Sequence, residues 1–550
     1  MRVLVVCVAL WLTACVQPGP AARQPLPPLS FDSPPQALLQ AAMQGVPAGT
    51  AVAAVWRDGH LHMAGVRDGE PLPDHELTGA RAPLFEIGSI SKVFTGVLLA
   101  QAVERGELAL DDTLALRLQG EVTFQSPHMA AITLRQLATH TACLPRMPAN
   151  FGGGTRADPY RAYDRAQLWR ALADQALPRT GPCDALYSNY GFAVLGELIS
   201  VRLGKPWTQL VAERITAPLG LTDTLRDLGD QAARLAPAYV GRSPASPWQM
   251  LAFAGAGSLR ASAADLVRFG RALAAGRQGP LGVAAERVAT PLAWLDGDIG
   301  LALMLRGPPQ RRTWLHGGTT GGYRALLMVA PDTGQVLVVL ASNGRASTQV
   351  VQRAVLASRH PVAGGPTVAP DPSTLAAYAG VYRGDGGEVL TLVAQDGALW
   401  ARPPGLGFEA LRPLGGDAFL LFEYTRLQFV RTDGRVQGLH TAGGGVEREL
   451  RRTDLPPPAV ARQPAHQLQP YVGRYKGEGL DFSVQQLDGV LRVRLNDQPR
   501  LPVFPLPGQA DRFAYDVVAA ELQFERQADG TVRSLVLHQH GRRLSVPRID

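Results

Sequence analysis

Lysine is nearly missing from this chain. Of 54 basic residues among 550, three are lysines (Lys92, Lys205 and Lys476) and the remaining 51 are arginines. An arginine side chain stays protonated in proteins, so a proton-accepting amine has to come from one of those three positions. Cysteine is scarce too. There are four, none in the Cys/His spacing of a zinc site, so neither a metal nor another cofactor is expected. Aromatics are 7% of the residues and form no stripe with basic ones. The formal charge of +7 comes from dispersed arginines, which favours solubility and attraction to anionic surfaces over nucleic-acid binding. The apolar run at positions 3–12 is too short to span a bilayer as a mature helix. No serine stands in G-x-S-x-G, which argues against a nucleophile elbow.

What the chain does have is a serine three residues before its first lysine. Ser89-Ile90-Ser91-Lys92 opens the apolar stretch Val93-Phe94-Thr95-Gly96, and a helix beginning near Ser89 puts residues three apart on one face. The Lys92 amine then reaches the Ser89 hydroxyl, and the positive helix terminus favours an anion there. A lysine held among apolar groups near another cation loses proton affinity, which makes it a base able to activate a serine. Alone, the tetrapeptide reads first as an exposed helix cap followed by a solvated lysine.

Two later motifs change that reading. Tyr187-Ser188-Asn189 and His316-Gly317-Gly318-Thr319 follow in order. Together with Ser89/Lys92 they resemble the S-x-x-K, Y-x-N and K-T-G (or H-x-G) set of the serine β-lactamase and penicillin-binding-protein superfamily, class C branch. The resemblance implies an α/β (α+β) catalytic domain and an acyl-serine mechanism. Ser89 would be the nucleophile, Lys92 and Tyr187 would share the role of base, Asn189 would orient them, and the N–H groups of Ser89 and Thr319, beside Gly318, would hold the oxyanion. Two cations near Tyr187 suggest a depressed phenol pKa. His316 and Gly317 stand where the family has the lysine and threonine that bind a substrate carboxylate. A mostly neutral imidazole weakens that recognition and disfavours efficient β-lactam hydrolysis. His140 reads as structural.

Residues 37–359 hold these motifs. Helices are predicted over 89–104, 189–202 and 347–359, strands over 51–56, 325–330 and 336–341, and a capping box at Ser262/Asp265. The strand carrying His316 is expected at the edge of the sheet. A Pro/Gly-rich linker, 360–372, precedes two units, 373–454 and 467–550, separated by 455–466. Tyr378-Ala379-Gly380-Val381-Tyr382 recurs as Tyr471-Val472-Gly473-Arg474-Tyr475, and Leu427-Gln428-Phe429 as Leu522-Gln523-Phe524. Each unit reads as a small antiparallel barrel of about eight strands with a side-chain-filled interior. Their resemblance is lipocalin-like, and the whole layout resembles bacterial D-aminopeptidase.

Leu12-Thr13-Ala14-Cys15 resembles a bacterial lipobox, with an ordinary signal peptide as the alternative. On that reading 1–15 is the signal, Cys15 is acylated, and 16–36 is a Pro-rich tether. The expected place is the bacterial cell envelope, lipid-anchored at the outer membrane and facing the periplasm. Cys143, where the family usually has glycine, and Cys183 then remain, as a disulfide or as two buried thiols. The expected substrates are small peptides of D-amino acids, with a β-lactamase or short-chain esterase as the alternative and peptidoglycan a potential partner. An inactive cell-wall-binding lipoprotein is the non-enzyme alternative.

Overall fold

The computed structural model describes residues 28–360 and 371–550, apart from positions 156, 178, 184 and 296 and the short stretches 386–388, 403–407, 422–424, 444–445, 459, 478, 488, 497–500, 516–519 and 540–541. The lipobox and Cys15 therefore lie outside the described residues.

Two apolar segments with no polar alternation, Thr50–Arg57 and Gln335–Ala341, are buried on both faces, and this makes them the centre of a nine-stranded antiparallel sheet. Val52, Ala54, Val336, Val338 and Leu340 face one core, while Ala51, Ala53, Val55, Leu337 and Val339 face the other. The first core is closed by the helices Ser91–Glu104 and Ala263–Ala274, the second by Pro35–Met43 and Thr348–Arg359. Period-two side chains buried on both sides are what a central strand between two helical layers requires.

Three sequence expectations need adjustment. The nucleophile segment begins as a 3-10 turn, Gly88–Ile90, and the α-helix starts only at Ser91. The strand Thr313–Thr319 is not at the edge of the sheet: Thr313, Trp314 and Leu315 pair with Met304–Arg306, while residues 316–319 extend past that short neighbour. Half of the Ser262 capping box is missing. Ser262 Oγ accepts the Asp265 N–H, but the Asp265 carboxylate turns away to accept from the Asp223 N–H at 2.8 Å and the Thr224 hydroxyl at 3.0 Å.

Beyond residue 371, two antiparallel meanders follow. In the first, of nine strands, the opening strand Gly380–Arg383 pairs with the last, Val446–Arg452, leaving a gap between Glu409–Ala410 and Arg412–Gly415. The second, of eight strands, is drawn closed by a bridge from Tyr475 to Arg548. The repeat in the sequence reappears as one cluster built twice. Tyr378 donates to Asp417, which Arg431 also binds, and Phe429 stacks alongside; Tyr471, Asp511, Arg526 and Phe524 repeat the arrangement. Large apolar side chains, among them Tyr382, Phe419 and Leu439 in one barrel and Tyr475, Phe482 and Leu522 in the other, fill the interiors. Arg448 of the first barrel and Arg312 both bind the buried Asp298, beside the short strands that flank His316.

Candidate active site

Lys92 lies one helical turn after Ser89 on a helix buried almost all round, so its amine is withdrawn from bulk water. Its Nζ stands 2.7 Å from the Ala256 carbonyl oxygen, 2.8 Å from Asn189 Oδ1 and 3.0 Å from Ser89 Oγ. Burial drives its pKa well below the usual lysine value, and the nearby Arg146 charge pushes the same way. A neutral amine has two hydrogens and one lone pair. Two of its three neighbours, the carbonyl and the amide oxygen, only accept, so both hydrogens go to them and the lone pair is left for the Ser89 hydroxyl.

Tyr187 and Asn189 arrive on the start of the helix Asn189–Leu203. Ser188 caps it by accepting the Gly191 N–H, and Gly204, at φ 67°, ends it in the left-handed conformation. Lys92 Nζ is 5.0 Å from the centre of the Tyr187 ring, and the Arg146 guanidinium carbon is 5.2 Å from it. The expectation of a depressed phenol pKa fails. Burial raises Tyr187 to about 12, outweighing the opposite pulls of Ser89 and Arg146. Tyr187 therefore keeps its proton at neutral pH.

Gly318 and Gly88 let the strand and the nucleophile turn touch. A Cβ on Gly318 would lie 2.0 Å from the Ile87 carbonyl oxygen, and one on Gly88 would lie 2.7 Å from the Thr319 nitrogen. Gly88 also takes a positive φ of 49°. The peptide groups of Ser89 and Thr319 consequently belong to adjoining pieces of backbone. His316 is 1% exposed, and its Nδ1 lies 2.6 Å from the Gly317 carbonyl oxygen, to which it donates. Burial, followed by the Lys92 charge, lowers its pKa to about 3, so the imidazole is neutral, and its buried Nε2 has no partner among the described residues. Its ring centre is 6.4 Å from that of Tyr187.

His140 underlies the site. Its ring packs on Tyr187 and Phe192, with centres 4.5 and 5.0 Å away, and its Nδ1 accepts the Ser188 N–H at 3.0 Å. Cys143 and Cys183 are bonded to each other, with Cα atoms 5.2 Å apart. Cys143 takes φ 59°, the left-handed conformation in which glycine is easiest, which accounts for a turn that otherwise favours glycine. Arg146, three residues on, is the site residue that sequence reasoning passed over. The signal was its position in the His140–Pro148 loop, which pairs with the segment leading into Tyr187. Among the described residues, no group of three or more His, Cys, Asp or Glu side chains can hold a metal ion, and no helix is long and apolar enough to cross a membrane.

The profile of the family described as Beta-lactamase matches residues 36–359. D-alanyl-D-alanine-carboxypeptidase/endopeptidase AmpH of Escherichia coli (strain K12) is 32% identical over 202 residues, 36% of this chain and 51% of that protein. The match thus spans about half the length of that relative. Penicillin-binding protein 4 of Amycolatopsis lactamdurans is 28% identical over 379 residues, 61% of this chain and 93% of that one. The structure of a beta-lactamase/D-alanine carboxypeptidase from Pseudomonas syringae is similar in fold, with a TM-score of 0.50 at 19% identity over 60% of this chain and 98% of that one.

Proposed function

This chain belongs to the Beta-lactamase family, and from that premise we propose that it is an envelope serine hydrolase that cleaves D-amino-acid-containing peptides through an acyl-serine intermediate. One observation carries the reading: a fully buried Lys92 whose lone pair is left for the Ser89 hydroxyl by two acceptor-only neighbours. Ser89 Oγ attacks the peptide carbonyl while its proton passes to Lys92 Nζ. The N–H groups of Ser89 and Thr319 hold the oxyanion that forms. Collapse breaks the C–N bond, and the leaving amine takes a proton from the Tyr187 phenol, which Lys92 reprotonates in turn. Water then attacks the acyl-serine and gives its proton to the neutral Lys92; collapse breaks the bond between Ser89 Oγ and the acyl carbon, and Lys92 returns that proton to Ser89 Oγ as the acid leaves. A phenol held near 12 suits the donor and a depressed amine suits the base.

The substrate class follows from two supports. One relative is named as a D-alanyl-D-alanine-carboxypeptidase/endopeptidase and another as a penicillin-binding protein. The neutral His316 offers no charge to a β-lactam carboxylate. The reading places the enzyme in the periplasm, anchored through Cys15 and within reach of peptidoglycan. A panel of D-Ala-D-Ala peptides, D-amino-acid amides, nitrocefin and p-nitrophenyl esters, run on the wild type and on Ser89→Ala, tests it. Peptide turnover lost in the variant is expected. Turnover of nitrocefin alone would reject the peptidase assignment.

A further inference from the structure

Arg146 brings to the cleft a positive charge that no acid among the described residues neutralises. Its guanidinium stacks against Tyr187, and among the described residues it has no hydrogen-bond or ion-pair partner. Other arginines near the cleft are engaged. Arg260 is paired with the buried Glu86, and Arg324 donates to the carbonyl oxygens of Thr320 and Tyr323.

The backbone that carries Arg146 is fixed on several sides. Its carbonyl accepts the N–H groups of Asn189 and Tyr190 at 3.0 and 3.1 Å, and the Pro145 carbonyl accepts the Ser188 hydroxyl at 2.7 Å. Cys183 N–H and Leu186 N–H donate to Thr141 and His140, both at 2.9 Å, and the Cys143–Cys183 bond ties the same two segments. A half-buried guanidinium held at the rim by its own main chain, with its donors unused, is a preformed seat for a planar anion. Its charge is felt at Lys92, His140, Tyr160 and Tyr187, which places it within the reacting cluster and not out on the surface.

We propose that Arg146 binds a carboxylate of the substrate, so that the site selects peptides carrying an acid next to the cleaved bond over their neutral counterparts. The inference rests on the acyl-serine reading above and names its substrate class. The carboxylate has two possible sources: the C-terminus of the leaving residue, or an acidic side chain in the acyl half.

Two matched peptide pairs separate them. One pair differs in a C-terminal carboxylate or amide, the other in D-Glu or D-Gln in the acyl half, and kcat and KM are measured for the wild type, Arg146→Gln and Arg146→Lys. Arg146→Gln is expected to lower the acid-to-neutral ratio of kcat/KM by about 10- to 100-fold in one pair, chiefly through KM, with Arg146→Lys recovering part of it. The pair that collapses identifies the source. A ratio unchanged in both pairs overturns the proposal, even if Arg146→Gln slows every substrate alike through Lys92.

Absence of turnover by the wild type would count against the hydrolase reading and not against the anchor. Calorimetric binding of the same pairs to Ser89→Ala then decides. The acid is expected to bind at least 10-fold tighter than its neutral partner, with the difference gone in Ser89→Ala/Arg146→Gln; equal affinities in Ser89→Ala refute the anchor.

Discussion

Replacing His316 by lysine and Gly317 by threonine should turn the cleft toward carboxylate-bearing penicillins. His316 contributes no charge near neutral pH, its imidazole being held at about 3 by burial and by Lys92. An ion pair with a carboxylate in a partly solvated cleft contributes roughly 1 to 3 kcal/mol, or about 5- to 150-fold in acylation. The burial and the neighbouring amine that hold His316 neutral would also act on a lysine there, so the gain belongs at the lower end, about 5- to 10-fold. Threonine has room, because a Cβ on Gly317 meets only the Ala325 carbonyl oxygen at 3.8 Å, whereas the same change at Gly318 would strike Ile87. Stopped-flow acylation with benzylpenicillin, set against p-nitrophenyl acetate, reads the outcome as a ratio. A higher penicillin-to-ester ratio is expected. Fast penicillin hydrolysis by the wild type would show that a neutral imidazole suffices, and equal losses on both substrates would show that His316 serves the chemistry itself; either result refutes the reasoning.

Ser89→Ala should abolish the single fluorophosphonate adduct seen by mass spectrometry, and an adduct retained in the variant removes Ser89 as nucleophile. Lys92→Arg should lower kcat by at least about 100-fold, since arginine cannot give up the proton; near-normal rates would make Lys92 merely electrostatic. His360, buried against Thr313 and lowered to about 4, refuses a proton that the unfolded chain accepts below about 6.5. Its contribution is therefore lost as pH falls, and the stability difference between wild type and His360→Gln should change by about 1.4 kcal/mol per pH unit between 6 and 4.5 in urea titrations; a pH-independent difference contradicts this. Cys143→Ser/Cys183→Ser opens a loop of 40 residues and should cost roughly 4 kcal/mol on the chain-entropy model, read as a lower urea midpoint, with an unchanged midpoint as the contrary result.

The parts of the fold that could be read in advance are those whose signal is local. Asn189 to Gly204 has a cap, an apolar run and a glycine stop, and the helix ends where those residues put it. Val336 to Ala341 is apolar enough to be a central strand wherever it lies. The neighbour of Thr313–Thr319 was not legible, because Met304–Arg306 is three residues long and no three-residue window carries a strand period. Asp265 shows a different limit. Its spacing from Ser262 fits a capping box, yet its carboxylate is taken by Asp223 and Thr224, about 40 positions earlier, and pairings of that range leave no mark in a local pattern.

The same distinction separates Lys92 from Tyr187. Sequence order brings Ser89, Lys92, Tyr187, Asn189 and His316 to mind together, and counting charges around Tyr187 favours a tyrosinate. Counting charges omits the cost of removing each ion from water, and in a site this buried that cost has opposite consequences for an acid and a base. It keeps the proton on Tyr187 and lowers the proton affinity of Lys92. Of the two cations expected to help Tyr187 ionise, Lys92 has its own hold on a proton weakened by the same burial. What remains is Arg146, which is always charged, and its influence falls on Lys92 as well as on the phenol. A chain with three lysines among 54 basic residues thus places one of them where burial first, and the charge of an arginine second, lower its proton affinity, so that a base and a fixed charge share the same site.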